Sequence, residues 1–316
     1  MKYQVNLIPL KPYFFGGDTT FGTKGDKENS SYLIHSRKFP QQSAILGMLK
    51  KEIMIQSGVL TKKVKGEWVD NKYKQQAATL VGSQKFDIFS NKPQDFGTIK
   101  NISPIFLIQN GKRYIKKVDI ASYPYKNQKL ENYNAKIDIY DNYISLDSND
   151  TKSSNDIFEI VEQIGNSKLD EEDSLFKKSS YILKDGFKFA FYLECEYELK
   201  NSIVYLGADK SVFKLELIKD DGNLDYEDNN GYLTLLSDAY VTVPLKDNCE
   251  FAITSEISYR QLINSFDNNQ RRFEKSKKIY LYEKGSVIIN PSDKLLDNLN
   301  NKNLQQIGYN KYTMKG

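Results

Sequence analysis

The chain opens with a strand pattern, a glycine-rich gap and a helix pattern, and that order limits the folds open to it. Residues 2–8 alternate, with Tyr3, Val5 and Leu7 on one side and Lys2, Gln4 and Asn6 on the other. A two-residue period is that of a strand buried on one face. Residues 11–31, KPYFFGGDTTFGTKGDKENSS, read as loop. From Pro40 to Gly58, Ile45, Leu46, Leu49, Ile53 and Met54 recur at helical spacing, and Gly58 suits a C-terminal cap. Gly47 inside this helix costs roughly 1 kcal/mol against Ala, which predicts a neighbouring backbone packed closely against it. Strand, long connection and helix is how a ferredoxin-like βαββαβ domain begins.

The rest of the chain carries further strand signals. GTIKNISPIFLIQ (97–109) and KRYIKKVDIA (112–121) flank Asn110-Gly111, a strong hairpin turn pair. Residues 145–156 read as a polar loop and 157–164 as a short helix. Phe187, Phe189, Phe191, Leu193 and Cys195 alternate with polar neighbours, and VFKLELI (212–218) alternates too. IYLYEKGSVII (279–289) reads as two short strands broken at Gly285, and Ser292 as the N-cap of a helix holding Leu295, Leu296 and Leu299. The predicted class is α+β: two ferredoxin-like domains with inserted loops and hairpins, spanning 1–180 and 181–316.

Charge is unevenly spread. The formal net charge is only +4, but 112–136 holds seven Lys/Arg and two acids, and 271–284 holds six and two. Residues 147–173 hold nine acids and two lysines. Separated basic and acidic segments predict one surface for an anion and another that stays solvated or meets a protein. Cys195 and Cys249 stand far apart, with neither metal-ligand spacing nor a disulfide framework. With no apolar run of signal or membrane-span length, the expectation is a reduced, soluble, cytoplasmic protein that needs no cofactor.

Several segments together resemble one family. LIPLKPYFFGG with Phe21 (7–21), FPQQSAILGMLK (39–50), FGTIKNISPIFL (96–107), VYLGADKSVFKLEL (204–217), EKGSVII (283–289) and IGYNKYTMKG (307–316) follow one another in the order seen in subunit three of Cmr complexes. That subunit belongs to the RAMP superfamily and to type III-B CRISPR effectors. The resemblance implies paired ferredoxin-like domains that bind the 5′ handle of crRNA. It places the chain beside the large polymerase-like subunit and the first backbone RAMP subunit, touches target RNA only indirectly, and implies no nuclease activity. The family's second-half motif carries two glycines and an arginine. Here Gly207 is followed by Ala208, Asp209 and Lys210, so contacts relying on the second glycine or the arginine do not carry over to this sequence.

Candidate RNA contacts follow from both readings. Arg37 and Lys38 precede a helix start where free N–H groups, with Gln41, Gln42 and Ser43, can hold a phosphate, and Lys50 and Lys51 follow. Gly16, Gly17 and Phe21 form a loop through which backbone can approach RNA. Lys112, Arg113, Lys116 and Tyr123 belong to a basic stretch interleaved with tyrosines, a pattern for gripping single strands or, more plainly, an edge hairpin kept soluble by lysines. Gly207, Lys210, Gly308, Tyr309 and Asn310 complete the set. His35 is the only histidine, and a precursor-RNA endoribonuclease built on it is the rival reading, together with the handle-binding subunit of another class 1 complex or a pure protein adaptor. The acids DEED at 170–173 read as solvated rather than as a metal site.

Overall fold

The computed structural model describes residues 1–16, 33–64, 66–120, 122–134, 136, 138–166, 175–184, 186–207, 209–224, 232–260, 262–267 and 270–314. Its centre is a nine-stranded antiparallel sheet. The path runs Thr151–Lys152, Tyr143–Ser145, Lys112–Lys116, Phe106–Gln109, Phe187–Cys195, Lys2–Pro9, Ser211–Lys219, Ser202–Leu206, and Ile99–Ile102 pairs beside Phe106–Gln109 on Phe187–Cys195. The opening strand is central: Leu7 stands opposite Phe189 on one side and Leu215 on the other. Its alternation is the predicted one, with Tyr3, Val5 and Leu7 buried.

The helix Gln42–Gln56 lies on that face. Ile45, Leu46, Leu49 and Ile53 pack into one core with Val5, Leu7, Phe189, Phe191, Phe213 and Leu215. Each such side chain contributes about 2 kcal/mol relative to exposure. Gly47 does not serve it. Gly47 is exposed, and a Cβ there would meet nothing within 4 Å, so the expected close approach of a neighbour is absent.

A second, four-stranded antiparallel sheet is ordered Phe251–Ile253, Val287–Ile289, Leu233–Leu235, Tyr312–Thr313. Leu295 and Leu299 of the helix Asp293–Leu299 pack on Leu233, Leu235 and Ile288. Ser292 caps that helix, accepting from the Leu295 N–H. The fold is thus mixed α/β, mostly antiparallel, with few helices. No helix among the described residues is long and apolar enough to cross a membrane.

Two sequence expectations shift. Residues 158–166 are a strand, not a helix: Phe158–Asn166 pairs with Leu175–Leu183, which also takes Leu33–His35 in parallel. The strands of 187–219 hydrogen-bond to Lys2–Pro9, so a boundary at 180/181 would pass through the pairing of one sheet. Chain order and spatial order part here because the partners of the opening strand come from far along the sequence. The helix Asn71–Val81, capped by Asp70, lies in a stretch that shows little periodicity because it buries only Ala77 and Val81.

Candidate nucleic-acid interface

Where the two sheets meet, residues 36–41 and the strand Lys112–Lys116 face Asp238 and the Glu283–Lys284 turn across a cleft of about 240 Å³. Arg37, Lys38, Lys116 and Lys284 line it against two carboxylates, Asp238 and Glu283, so the cleft favours an anion. Phe39, Tyr143 and Tyr181 supply aromatic walls.

The cations are held in place. The Arg37 guanidinium donates to the Ser258 carbonyl. Lys38 stands 3.9 Å from Asp141, and burial draws its ammonium below the usual lysine range. Lys116 pairs with Glu283 at 2.7 Å. The Lys284 ammonium lies 3.3 Å from the centre of the Phe39 ring, a cation–π contact. Burial lowers Lys284 to about 8 against the pull of Asp238, whose own carboxyl burial pushes up. Of these groups Arg37, Lys38, Gln41 and Lys116 are legible as candidates in the sequence. Lys284 sits only at the end of a basic stretch, and Asp238 has no sequence signal.

The start of the first helix is closed. Tyr309 is fully buried, and its hydroxyl accepts from the Ser43 N–H at 3.3 Å and donates toward Gln41 Oε1 and Ser43 Oγ. A second phenol, Tyr259, lies 3.1 Å from it. Gln42 is buried and donates to the Ser103 carbonyl. Asn310 is fully buried, accepting from the Tyr240 N–H and donating to the Tyr240 carbonyl. Gly308 has φ +88°, and a Cβ there would fall 2.7 Å from the Ser103 carbonyl oxygen. Gln42, Ser43, Gly308, Tyr309 and Asn310, read from the sequence as candidate RNA contacts, are therefore brought together as internal packing. Their polar groups serve the protein, because the C-terminal segment supplies the partners that an open helix end would lack.

The other candidates scatter. Gly16 lies beside the cleft's edge, since the Arg37 N–H donates to the Phe15 carbonyl. Gly207 approaches the same segment, with φ +79° and a virtual Cβ 3.0 Å from the Phe14 carbonyl oxygen. Lys210 is exposed nearby, and Asp209 pairs with Lys178. Lys50 and Lys51 sit farther along the helix, over the rings of Phe96 and Tyr205. Lys112 is exposed, but Arg113 is clamped to Asp147 at 2.7 Å. Tyr123 packs into an apolar cluster with Val118 and Ile120, and Tyr125 stacks on Phe251, so this stretch presents fewer free rings than its sequence offers. His35 is exposed on the strand paired with Lys177–Ser179. Gly17, Phe21 and the acids at 170–173 lie outside the described residues. Among the described residues no group of three His, Cys, Asp or Glu could hold a metal ion.

No protein-family model and no curated protein matches the chain. Solved structures share its fold. It aligns with a chain of the type III-B Cmr-beta complex bound to cognate target RNA at a TM-score of 0.54 and 16% identity, covering 98% of this chain and 96% of that one. With the same kind of complex bound to cognate target RNA and AMPPnP, the TM-score is 0.53 at 15% identity, covering 98% and 95%. A chain of the Csm3–Csm4 subcomplex of a type III-A CRISPR-Cas interference complex aligns at 0.39 and 11% identity, covering 92% and 93%. The architecture is thus similar to that of a Cmr-beta chain across nearly the whole length of both.

Proposed function

We propose that the chain is a non-catalytic crRNA-binding subunit of a type III-B CRISPR-Cas effector complex. In this reading it grips the 5′ handle and caps the backbone filament beside the large polymerase-like subunit, as subunit three does in Cmr complexes. The observation that carries the reading is the whole-length likeness of fold to a chain from an RNA-bound Cmr-beta complex. The convergence of Arg37, Lys38 and Lys116 on one aromatic-walled cleft supports it, since phosphate pairing beside ring faces is how single strands are held. We take the architecture as two ferredoxin-like units with inserted loops and hairpins.

The test is purification of the tagged chain from cells expressing a complete type III-B system, with sequencing of the retained RNA. The expected result is crRNA sharing a common 5′ handle, together with the large and backbone subunits. Recovery of the chain without RNA and without either subunit overturns the reading.

A further inference from the structure

Attraction of a phosphate accounts for the rim of the cleft but not for its floor. Asp238 lies there, 9% exposed. Its Oδ1 accepts from the Lys284 N–H at 3.0 Å, and its Oδ2 has the Gln41 amide at 3.4 Å, a long and weak contact. A carboxylate has about four acceptor sites, so Oδ2 keeps capacity for a donor entering the cleft. The partly buried ring of Tyr181 lines the same space, while the Phe39 ring is covered by the Lys284 ammonium. The other charged groups facing this space are Glu283, Lys116, Lys284, Arg37 and Lys38. Glu283 is tied through Oε1 to Lys116 at 2.7 Å, whereas Oδ2 of Asp238, at the floor, is held only by the long Gln41 contact.

We propose that the cleft takes in one nucleobase of the bound RNA and that Asp238 selects a base presenting an exocyclic amine over uracil. The inference rests on the RNA-binding role proposed above. Adenine and cytosine each offer an amine that a carboxylate accepts, as acidic side chains do with cytosine N4. Uracil turns carbonyl oxygens toward the same place, and two acceptors repel.

The experiment is fluorescence anisotropy of the full-length chain with labelled short homopolymers of adenosine, cytidine and uridine. The wild type is expected to bind the adenosine and cytidine strands about tenfold more tightly than the uridine strand. Asp238→Asn replaces an acceptor by an amide that donates to uracil carbonyls, so the preference should narrow or reverse while the strongest binding is kept. A purely structural Asp238 instead predicts equal loss on all three strands, and that result, or a wild type with no preference, overturns the inference while leaving RNA binding intact. Should Asp238→Asn fail to fold, Gln41→Ala, which frees Oδ2, is expected to widen the preference, and an unchanged or smaller preference overturns it. Absence of binding to all three strands, with no crRNA retained in cells, sinks the RNA-binding reading itself.

Discussion

The Tyr309 hydroxyl lies 3.3 Å from the Ser43 backbone nitrogen, so the end of the chain caps the first helix across 266 residues of sequence. Gln41, the N-cap residue, makes no side-chain capping bond, and the phenol supplies the acceptor in its place. This contact ties the C-terminal segment to the main core, where Leu304, Ile307 and Tyr309 pack with Ile45 and Leu49.

Removing that hydroxyl should cost stability and little else. Tyr309→Phe takes the acceptor from the Ser43 amide and one hydrogen bond from the Tyr259 phenol, a loss of about 1–3 kcal/mol. Urea unfolding checks the magnitude. Because Tyr309 is buried, the salt dependence of RNA binding should not change.

Gly308 is the neighbouring case. An alanine there meets both a positive φ and a carbonyl oxygen at 2.7 Å, so Gly308→Ala should destabilise by more than about 1 kcal/mol. A melting temperature equal to that of the wild type would show that the Ser103 segment yields without cost.

This pair also shows what the sequence could and could not tell. Local order was legible. The alternation of Tyr3, Val5 and Leu7, the apolar stripe from Ile45 to Ile53 and the Asn110-Gly111 turn, with φ of 50° and 78°, all depend on neighbours in sequence. The site was only partly legible. Arg37, Lys38 and Lys116 stand out by charge, but nothing local says that Ser43 and Asn310 face inward, because their partners Tyr309 and Tyr240 are 266 and 70 residues away. Residues 158–166 mislead for a related reason. The strand Phe158–Asn166 leaves Ile160 and Ile164 exposed, so no clear two-residue burial period marks it.

Neutralising the rim of the cleft should act on all RNA sequences alike. Arg37→Gln with Lys38→Gln should weaken binding and make the slope of log affinity against log salt shallower by roughly one for each phosphate that is no longer neutralised. Lys50→Gln with Lys51→Gln, on a separate part of the helix, should change the slope less. The reverse ranking would move the interface away from the cleft.

Lys284 gives the cleft an alkaline signature. In the unfolded chain it holds its proton to about pH 10.4. In the native fold it releases the proton near 8, because burial disfavours the charge. Between these limits the unfolded state binds more protons, so native stability rises with pH. Relative to Lys284→Met, the wild type should gain stability from pH 8 to 10, by at most on the order of 3 kcal/mol. A difference between the two that stays flat over this range would mean that Lys284 is better solvated than its burial implies.

The central claim, RNA binding without cleavage, is tested most directly by incubating the purified chain with repeat-derived RNA and resolving bound and cut species together. The account predicts a retained, intact strand whose binding weakens with salt, and a His35→Ala variant that behaves as the wild type. Cleavage of the repeat that is abolished in His35→Ala would contradict it and establish an endoribonuclease instead.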